Sequence, residues 1–305
     1  MTEPLAYLNG QFLPASAAVI PVTDAGFMQG VTVAEQLRTF GGQLFRLDRH
    51  LQRLERSLAI VGVHPPQSSA QLAAIASELA MTNHALLDPA DDLGLSIFIT
   101  PGIYPTFATL GATQRPMVGM HTYPLPFHSW WEKYERGESL TVTEVRQVPT
   151  HCWPAELKCR SRMHYFLADR RARELAPGSR ALLLDEQGFV TEASTANLLV
   201  LYRDVGLVSP PQEKILPGIS GAVLAELAGG LKIPLSYREL TVDDVAAADE
   251  VLLCSTSPCV WPVTQLNGQP IAGGQRGPIA AQLLAAWSQH VGLDIAGQAF
   301  RFARR

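Results

Sequence analysis

Lysine is scarce in this 305-residue chain, with four residues against twenty arginines. That scarcity shortens the search for a lysine that works as a nucleophile. An ammonium must lose its proton before it attacks a carbonyl, so a working lysine is withdrawn from water or set beside other cations. Lys133 stands in the charged run Glu132-Lys133-Tyr134-Glu135-Arg136, Lys214 follows Pro210-Pro211-Gln212-Glu213, and Lys232 lies beside Gly229-Gly230. All three are expected to be solvated. Lys158, in Pro154-Ala155-Glu156-Leu157-Lys158, alone has an apolar approach, and Arg160 and Arg162 follow it. Taken singly, such a lysine is an ordinary helix-start residue.

Cysteine is scarce too. Cys152, Cys159, Cys254 and Cys259 form no C-x-x-C pair, which excludes a disulfide framework and leaves reduced thiols and no metal site as the expectation. No apolar run approaches the roughly 18 to 20 residues of a membrane helix. The first ten residues lack the basic and apolar regions of a signal peptide, so a cytoplasmic protein without membrane contacts is expected. The net charge of -4 and the lack of Lys/Arg clusters with interleaved aromatics exclude a nucleic-acid partner. The basic end, 301–305, reads as solvated.

What is present is a chain 47% apolar, enough to bury one large core or two ordinary ones. Tyr7-Leu8-Asn9-Gly10-Gln11-Phe12 predicts a hairpin, with a further strand over 18–22. Residues 32–40 and 43–45 predict a second hairpin across Gly41-Gly42. Asp48 is expected to cap a helix over 49–61 with Leu47, Leu51, Leu54 and Leu58 as its buried stripe. A helix over 70–84 and strands over 95–100 and 117–123 complete this part. Beyond it the pattern predicts a strand over 139–148, the Lys158 loop, a helix over 160–175, and strands over 181–184 and 189–202. Helix 219–228, strand 235–240, a short helix over 243–248, strand 250–254, a hairpin turning at Asn267-Gly268 and helix 278–291 follow. Hairpins beside helices argue for an α+β fold in two domains. Residues 1–123 form an N-terminal α+β domain, 124–131 the linker, and 132–305 a C-terminal domain that carries the lysine.

Four features could carry chemistry. Ile215-Leu216-Pro217-Gly218-Ile219-Ser220-Gly221 precedes an Ala/Leu-rich helix, where Ser220 can cap and the first amides offer donors to a phosphate. Ser255-Thr256-Ser257-Pro258 places three hydroxyls at the end of an apolar strand. Arg53, off the leucine stripe, could add a fixed positive charge, although alone it reads as a surface residue. Glu192, in Thr191-Glu192-Ala193-Ser194-Thr195-Ala196-Asn197, lies in a strand so apolar that its carboxylate needs a partner if buried; at a strand edge it would face water. A protonated pyridine nitrogen would be such a partner. An amine for an aldehyde, an acid for a ring nitrogen and donors for a phosphate together match the three handles of pyridoxal 5′-phosphate.

These motifs, with Asp24-Ala25-Gly26-Phe27, Glu35-Gln36-Leu37-Arg38-Thr39 and His50-Leu51-Gln52-Arg53-Leu54, resemble the class IV (fold-type IV) pyridoxal-phosphate aminotransferases over nearly the whole chain. That family includes branched-chain and D-amino-acid aminotransferases and 4-amino-4-deoxychorismate lyase. The resemblance implies a two-domain fold with a small N-terminal and a larger C-terminal mixed-sheet domain. It makes Lys158 the Schiff-base lysine and proton shuttle, and Glu192 the partner of the ring nitrogen. Arg53, Ile219, Ser220 and Thr256 fall at the phosphate, Leu216 against the ring, and Ser255 and Arg162 near the cofactor. Ala34, Arg38, Thr256 and Ser257 fall beside the substrate. It further implies a homodimer acting on amino and 2-oxo acids. The subfamily patterns diverge: Ala34 replaces an aromatic residue, 97–108 has no arginine for an Arg-x-His carboxylate trap, and Glu35 and Gln36 replace the threonines of the lyases. The pattern leans towards an aminotransferase of L-amino acids, with branched-chain substrates as the first candidates. Pyruvate elimination by a lyase, D-amino-acid transamination and a non-catalytic scaffold are the alternatives.

Overall fold

The computed structural model describes residues 3–109 and 115–304; the last residue of the basic end lies outside them. Two compact units emerge, one comprising Met1–Leu125 with Leu157–Ser161 and the other Pro126–Glu156 with Arg162–Arg305.

The first unit opens with the Asn-Gly hairpin, β1 (Leu5–Leu8) and β2 (Gln11–Pro14), whose turn residues Asn9 and Gly10 take φ of 49° and 98°. Then come the short helix α1 (Ala25–Met28), β3 (Val33–Phe40), β4 (Gln43–Leu44), helices α2 (Leu47–Val61) and α3 (Ser69–His84), β5 (Leu93–Thr100) and β6 (Met117–Pro124). The strands form an antiparallel sheet in the order β2-β1-β6-β5-β3-β4. Because successive strand side chains alternate between faces, Val33 and Leu37 of β3 pack with Leu95, Ile97 and Ile99 of β5 against Leu51, Leu54 and Leu58 of α2. Ala34, Gln36 and Arg38 take the other face.

Two local expectations for this unit fail. Residues 18–22 are not a strand: Val19, Ile20 and Val22 are exposed, since β-branched side chains make a strand only where a partner and a core face exist. Asp48 is no cap. Arg46, in the left-handed conformation, precedes the helix, and Asp48 sits in the first turn, where its charge favours the helix dipole.

The second unit contains α4 (Lys133–Arg136), β7 (Glu138–Val142), α5 (Met163–Leu175), β8 (Arg180–Leu184), β9 (Val190–Ala193), β10 (Asn197–Tyr202), β11 (Gly206–Ser209) and α6 (Ile219–Gly230). It continues with β12 (Leu235–Tyr237), α7 (Val242–Ala246), β13 (Glu250–Ser255), β14 (Cys259–Leu266), β15 (Gln269–Pro270), α8 (Pro278–Val291) and α9 (Ile295–Arg301). The sheet runs β12-β11-β10-β13-β14-β7-β8-β9, with β15 paired to β14. Its β11–β12, β14–β7 and β7–β8 pairs are parallel and the rest antiparallel.

Here the sequence pattern overran the strands. The strand expected over 139–148 ends at Val142, and that over 189–202 breaks at Thr195, whose φ of 64° reverses the chain between β9 and β10. The residues expected as a linker are packed, with Phe127 buried in a 3-10 turn against Phe302 and Trp130. The lysine segment, expected with the C-terminal domain, belongs instead to the first unit: Cys159 bridges Val33, and Leu157 packs on the core beside α2. Among the described residues no helix is long and apolar enough to cross a membrane.

Candidate active site

Each unit carries a set of the residues singled out from the sequence. In the first unit the backbone of Lys158 is held at both ends, its N–H donating to Ser57 Oγ at 3.1 Å and its carbonyl accepting from the Ala34 N–H at 3.0 Å. The Arg160 N–H reaches the Thr32 carbonyl at 2.8 Å, and Ser161 Oγ donates to the Gly30 carbonyl at 2.7 Å. The loop is therefore stitched to the start of β3, and the half-buried Lys158 side chain leaves from a fixed backbone. The other lysines differ from expectation in part. Lys133 bridges to Glu138 and Lys214 to both Asp185 and Glu239, each at 2.7 Å, so two of the three are tied by carboxylates; Lys232 is exposed.

Beside the leucine stripe of α2 runs a second, polar stripe. His50, Arg53 and Ser57 are spaced at i, i+3 and i+7 and are all buried. Arg53, expected at the surface when considered alone, is 2% exposed. Its Nε and Nη2 donate to Glu35 Oε1 and Oε2 at 2.7 and 2.8 Å, a two-point fork. His50 Nδ1 meets Glu35 Oε2 at 2.7 Å. Burial by itself would raise the Glu35 carboxyl, but the Arg53 guanidinium and the hydrogen bonds from Arg53 and His50 hold it well below its ordinary value. An ionised carboxylate only accepts, so His50 donates through Nδ1. Burial keeps the His50 ring neutral against the pull of Glu35. Of the residues expected near substrate, Ala34 is buried under the Lys158 segment. Arg38 is wholly buried: its Nε donates to the Thr39 carbonyl, and its guanidinium lies 4.1 Å over the Phe40 ring and 4.0 Å from Asp92. Arg38 thus braces the sheet, a correction to its expected place beside substrate.

In the second unit Glu192 is 5% exposed, so the water-facing alternative fails. Its Oε1 accepts from the Tyr165 hydroxyl at 2.7 Å and Gln147 Nε2 at 2.9 Å; its Oε2 accepts from Asn197 Nδ2 and the Leu216 N–H, both at 3.3 Å. Asn197 Nδ2 also donates to the Leu216 carbonyl at 2.9 Å, which ties the acid to the turn before α6. Gly218 in that turn approaches Asn197 so closely that a Cβ would stand 1.9 Å from its Oδ1. Burial and the Glu192 charge push the Tyr165 hydroxyl well above its ordinary range, so it stays a donor. Ser220 does not cap α6. The cap is Gly218, no side chain caps the first turn, and Ser220 is buried one position beyond the half-buried Ile219. Ser255, Thr256 and Ser257 are half-buried in the β13–β14 turn, where Ser255 Oγ donates to the Thr195 carbonyl at 3.0 Å. Arg162 immediately precedes α5, and its charge is felt at His164 and Tyr165.

Sequence reasoning missed the frame of Glu192, namely Gln147, Tyr165 and the side-chain role of Asn197. It also missed the Glu35–His50–Arg53 cluster, although the 50, 53, 57 spacing was a visible helical signal. Among the described residues no group of three or more metal-ligating side chains gathers. Cys254, buried behind α6, has its thiol pushed up to about 12 by burial.

Burial, with the nearby Arg162 charge, lowers His164 to about 4. In an unfolded chain its pKa is about 6.5. Between those values the unfolded chain binds the extra proton, so this contribution to stability is full above the upper value and lost as pH falls through the lower one. The thermal midpoint of the protein is therefore expected to drop more steeply between pH 6.5 and 4 than that of a His164→Gln variant. Parallel midpoint curves for the two proteins would count against this assignment.

Compared with known families, residues 32–266 match the family described as "Amino-transferase class IV". The D-alanine aminotransferase of Bacillus licheniformis is 28% identical over 91% of this chain and 94% of its own length. Among solved structures, the branched-chain amino acid aminotransferase of Escherichia coli superposes with a TM-score of 0.86 at 22% identity, covering 97% of this chain and 96% of that one. The branched-chain aminotransferase of Thermoproteus uzoniensis, solved with norvaline, gives 0.81 at 24% identity over 99% and 97%. At such identities the structural likeness speaks for the two-unit α+β fold, that of fold-type IV. The family match covers most of the chain, both units included, and this chain belongs to the class IV aminotransferases.

Proposed function

We propose that this protein is a pyridoxal-phosphate-dependent aminotransferase that moves an amino group between an amino acid and a 2-oxo acid through Lys158. Class IV aminotransferases use pyridoxal 5′-phosphate. The observation that carries the reading for this chain is the buried Glu192, held by four neutral donors, with the uncapped start of α6 following in the same turn.

The residues fit the group. When bound, pyridoxal phosphate supplies an aldehyde that condenses with amines and a ring that accepts an electron pair. Glu192 would hold the proton on the ring nitrogen, its carboxyl group already oriented by neutral donors. The amides of Ile219 and Ser220, the Thr256 hydroxyl and Arg53 would hold the phosphate, with the helix dipole adding to the attraction. Leu216 would pack on the ring, with Ser255 and Arg162 beside it. Glu35 fixes the Arg53 guanidinium in direction and so prepares it for an anion. The Lys158 Nζ would hold the aldehyde until the amine of the substrate displaces it, and the freed Nζ would then take the proton from the substrate carbon and deliver it to the former aldehyde carbon. Its tethered backbone limits the arc over which that amine moves. Thr256 and Ser257 would border the substrate.

For the substrate, the apolar side chains Ile20, Val22, Phe27, Phe98 and Met117 around the cavity of the first unit support an amino acid with an aliphatic side chain, and we place branched-chain L-amino acids first. The relative acting on D-alanine keeps the D series as the second reading. Mixing the cofactor-loaded protein with single L-amino acids, D-amino acids and amines, without an acceptor, tests both. The cofactor's visible absorbance is expected to bleach with branched-chain L-amino acids and to return on adding a 2-oxo acid. Bleaching only with D-alanine would reverse the order of the two readings. No bleaching with any donor would overturn the function, and pyruvate release without an acceptor would make the protein a lyase.

A further inference from the structure

The first unit contains a cavity of roughly 710 Å³ on the sheet face turned away from α2 and α3. Gln36, Ser96 and His121 stand abreast across β3, β5 and β6, opposite one another in register, and form a polar row on its floor. Arg160 enters the cavity from the Lys158 segment, two residues beyond the lysine. Its Nη2 donates to Ser96 Oγ at 2.7 Å, so the guanidinium meets the row at its middle residue. Among the described residues that line the cavity, one is a carboxylate, Asp24. That group is already engaged, its Oδ1 accepting from the Gly26 N–H at 2.7 Å and its Oδ2 from Thr100 Oγ1 at 2.8 Å. Burial and the Arg160 charge both hold His121 towards its neutral form, which makes Arg160 the cation of the row.

We propose that this cavity receives the carboxylate of the substrate and that Arg160 is the residue that binds it. The proposal rests on the aminotransferase reading and deepens it to substrate class. A guanidinium presents a planar fork that matches a carboxylate at two points, and it does so best where water is partly excluded. Ser96 orients that fork from one side, and a guanidinium carries several donors in all. Residues 97–108 contain no arginine, and Arg38, on the same sheet face, is engaged by Thr39, Asp92 and the Phe40 ring, so the guanidinium that lines the cavity comes from the lysine's own segment. The amine-bearing and carboxylate-binding residues are separated by Cys159 alone, whose backbone bridges Val33. Such a placement selects amino acids over amines of the same side chain, because an amine without a carboxylate gains nothing from Arg160.

The test is calorimetric titration of the cofactor-loaded protein with hexanoate, using hexanol as the carboxylate-free control, for the parent protein and for Arg160→Gln and Arg160→Lys. Hexanoate affinity is expected to fall on the order of 10- to 100-fold in Arg160→Gln, with a smaller fall in Arg160→Lys and hexanol unchanged. In turnover, Arg160→Gln is expected to raise the KM for 2-oxo acids by a similar factor, with a smaller rise in Arg160→Lys. Equal hexanoate binding by parent and Arg160→Gln, or none by the parent, overturns the proposal. The aminotransferase reading fails separately, through a parent protein that bleaches with no amino donor.

Discussion

Lys158→Ala is expected to lower turnover by about 10,000-fold or more, because one residue then removes both the covalent hold on the cofactor's aldehyde and the proton shuttle. Single-turnover kinetics with the donor identified in the half-reaction screen measure the loss. Arginine cannot replace the amine, as it does not deprotonate in a protein. None of the other lysines is expected to replace it: Lys133 and Lys214 are held by carboxylates, and Lys232 is exposed at a left-handed turn position of the second unit. The variant should still fold. Its N–H and carbonyl, which stitch the segment to Ser57 and Ala34, belong to the backbone and survive the substitution. Borohydride reduction followed by peptide mapping is expected to fix the cofactor at residue 158 in the parent and nowhere in the variant. A variant that keeps more than about one per cent of parent turnover would sink the assignment, since no single lost proton transfer is that small.

The second large effect concerns folding stability. Glu35→Ala leaves the Arg53 guanidinium and the His50 ring buried without the carboxylate that holds both. Stranding one member of a buried ion pair costs about 3 to 5 kcal/mol, against a total stability of only about 5 to 15. A fall in the thermal midpoint on the order of 10 °C follows, read by calorimetry. The cause is the orphaned charge rather than a lost attraction, which makes a further result checkable. Glu35→Gln combined with Arg53→Met is expected to recover much of the stability lost by Glu35→Ala, because neither residue then leaves a buried charge. That double variant should nonetheless bind the cofactor's phosphate poorly. Stability lost equally in the double and single variants would show that Glu35 acts through packing alone.

The elements that local chemistry specifies were legible in the sequence. Asn9-Gly10 turns a hairpin, the apolar spacing of α2, α3 and α8 sets their faces, and the acid, the lysine and the two donor turns could be named from residue type. Where pattern failed, the deciding fact lay elsewhere in the chain. Val19, Ile20 and Val22 have strand propensity but no neighbouring strand. Thr195 breaks a run that reads as one strand, because the chain must turn there to pair Ala193 with Ala196. The helix α9 was not foreseen; it begins with Asp294, whose side chain accepts from the Gly297 N–H. Arg38 and Arg53 are indistinguishable by residue type, yet one braces the sheet through Thr39 and Phe40 while the other is aligned by Glu35.

By itself the sequence determined that Lys158 is a scarce amine with an apolar approach, that Glu192 stands in an apolar strand, and that the chain resembles one enzyme family over nearly its whole length. Only the tertiary structure decided that Lys158 belongs to the first unit, tied to β3 and α2. It alone showed that Glu192 is framed by Gln147, Tyr165, Asn197 and Leu216, and that Arg160 reaches Ser96 in the Gln36–Ser96–His121 row. The reason is physical. A buried charge must find its partners, but those partners come from whichever strands and helices the fold brings alongside, at separations of 24 to 64 residues for the Leu216, Tyr165, Gln147 and Ser96 contacts.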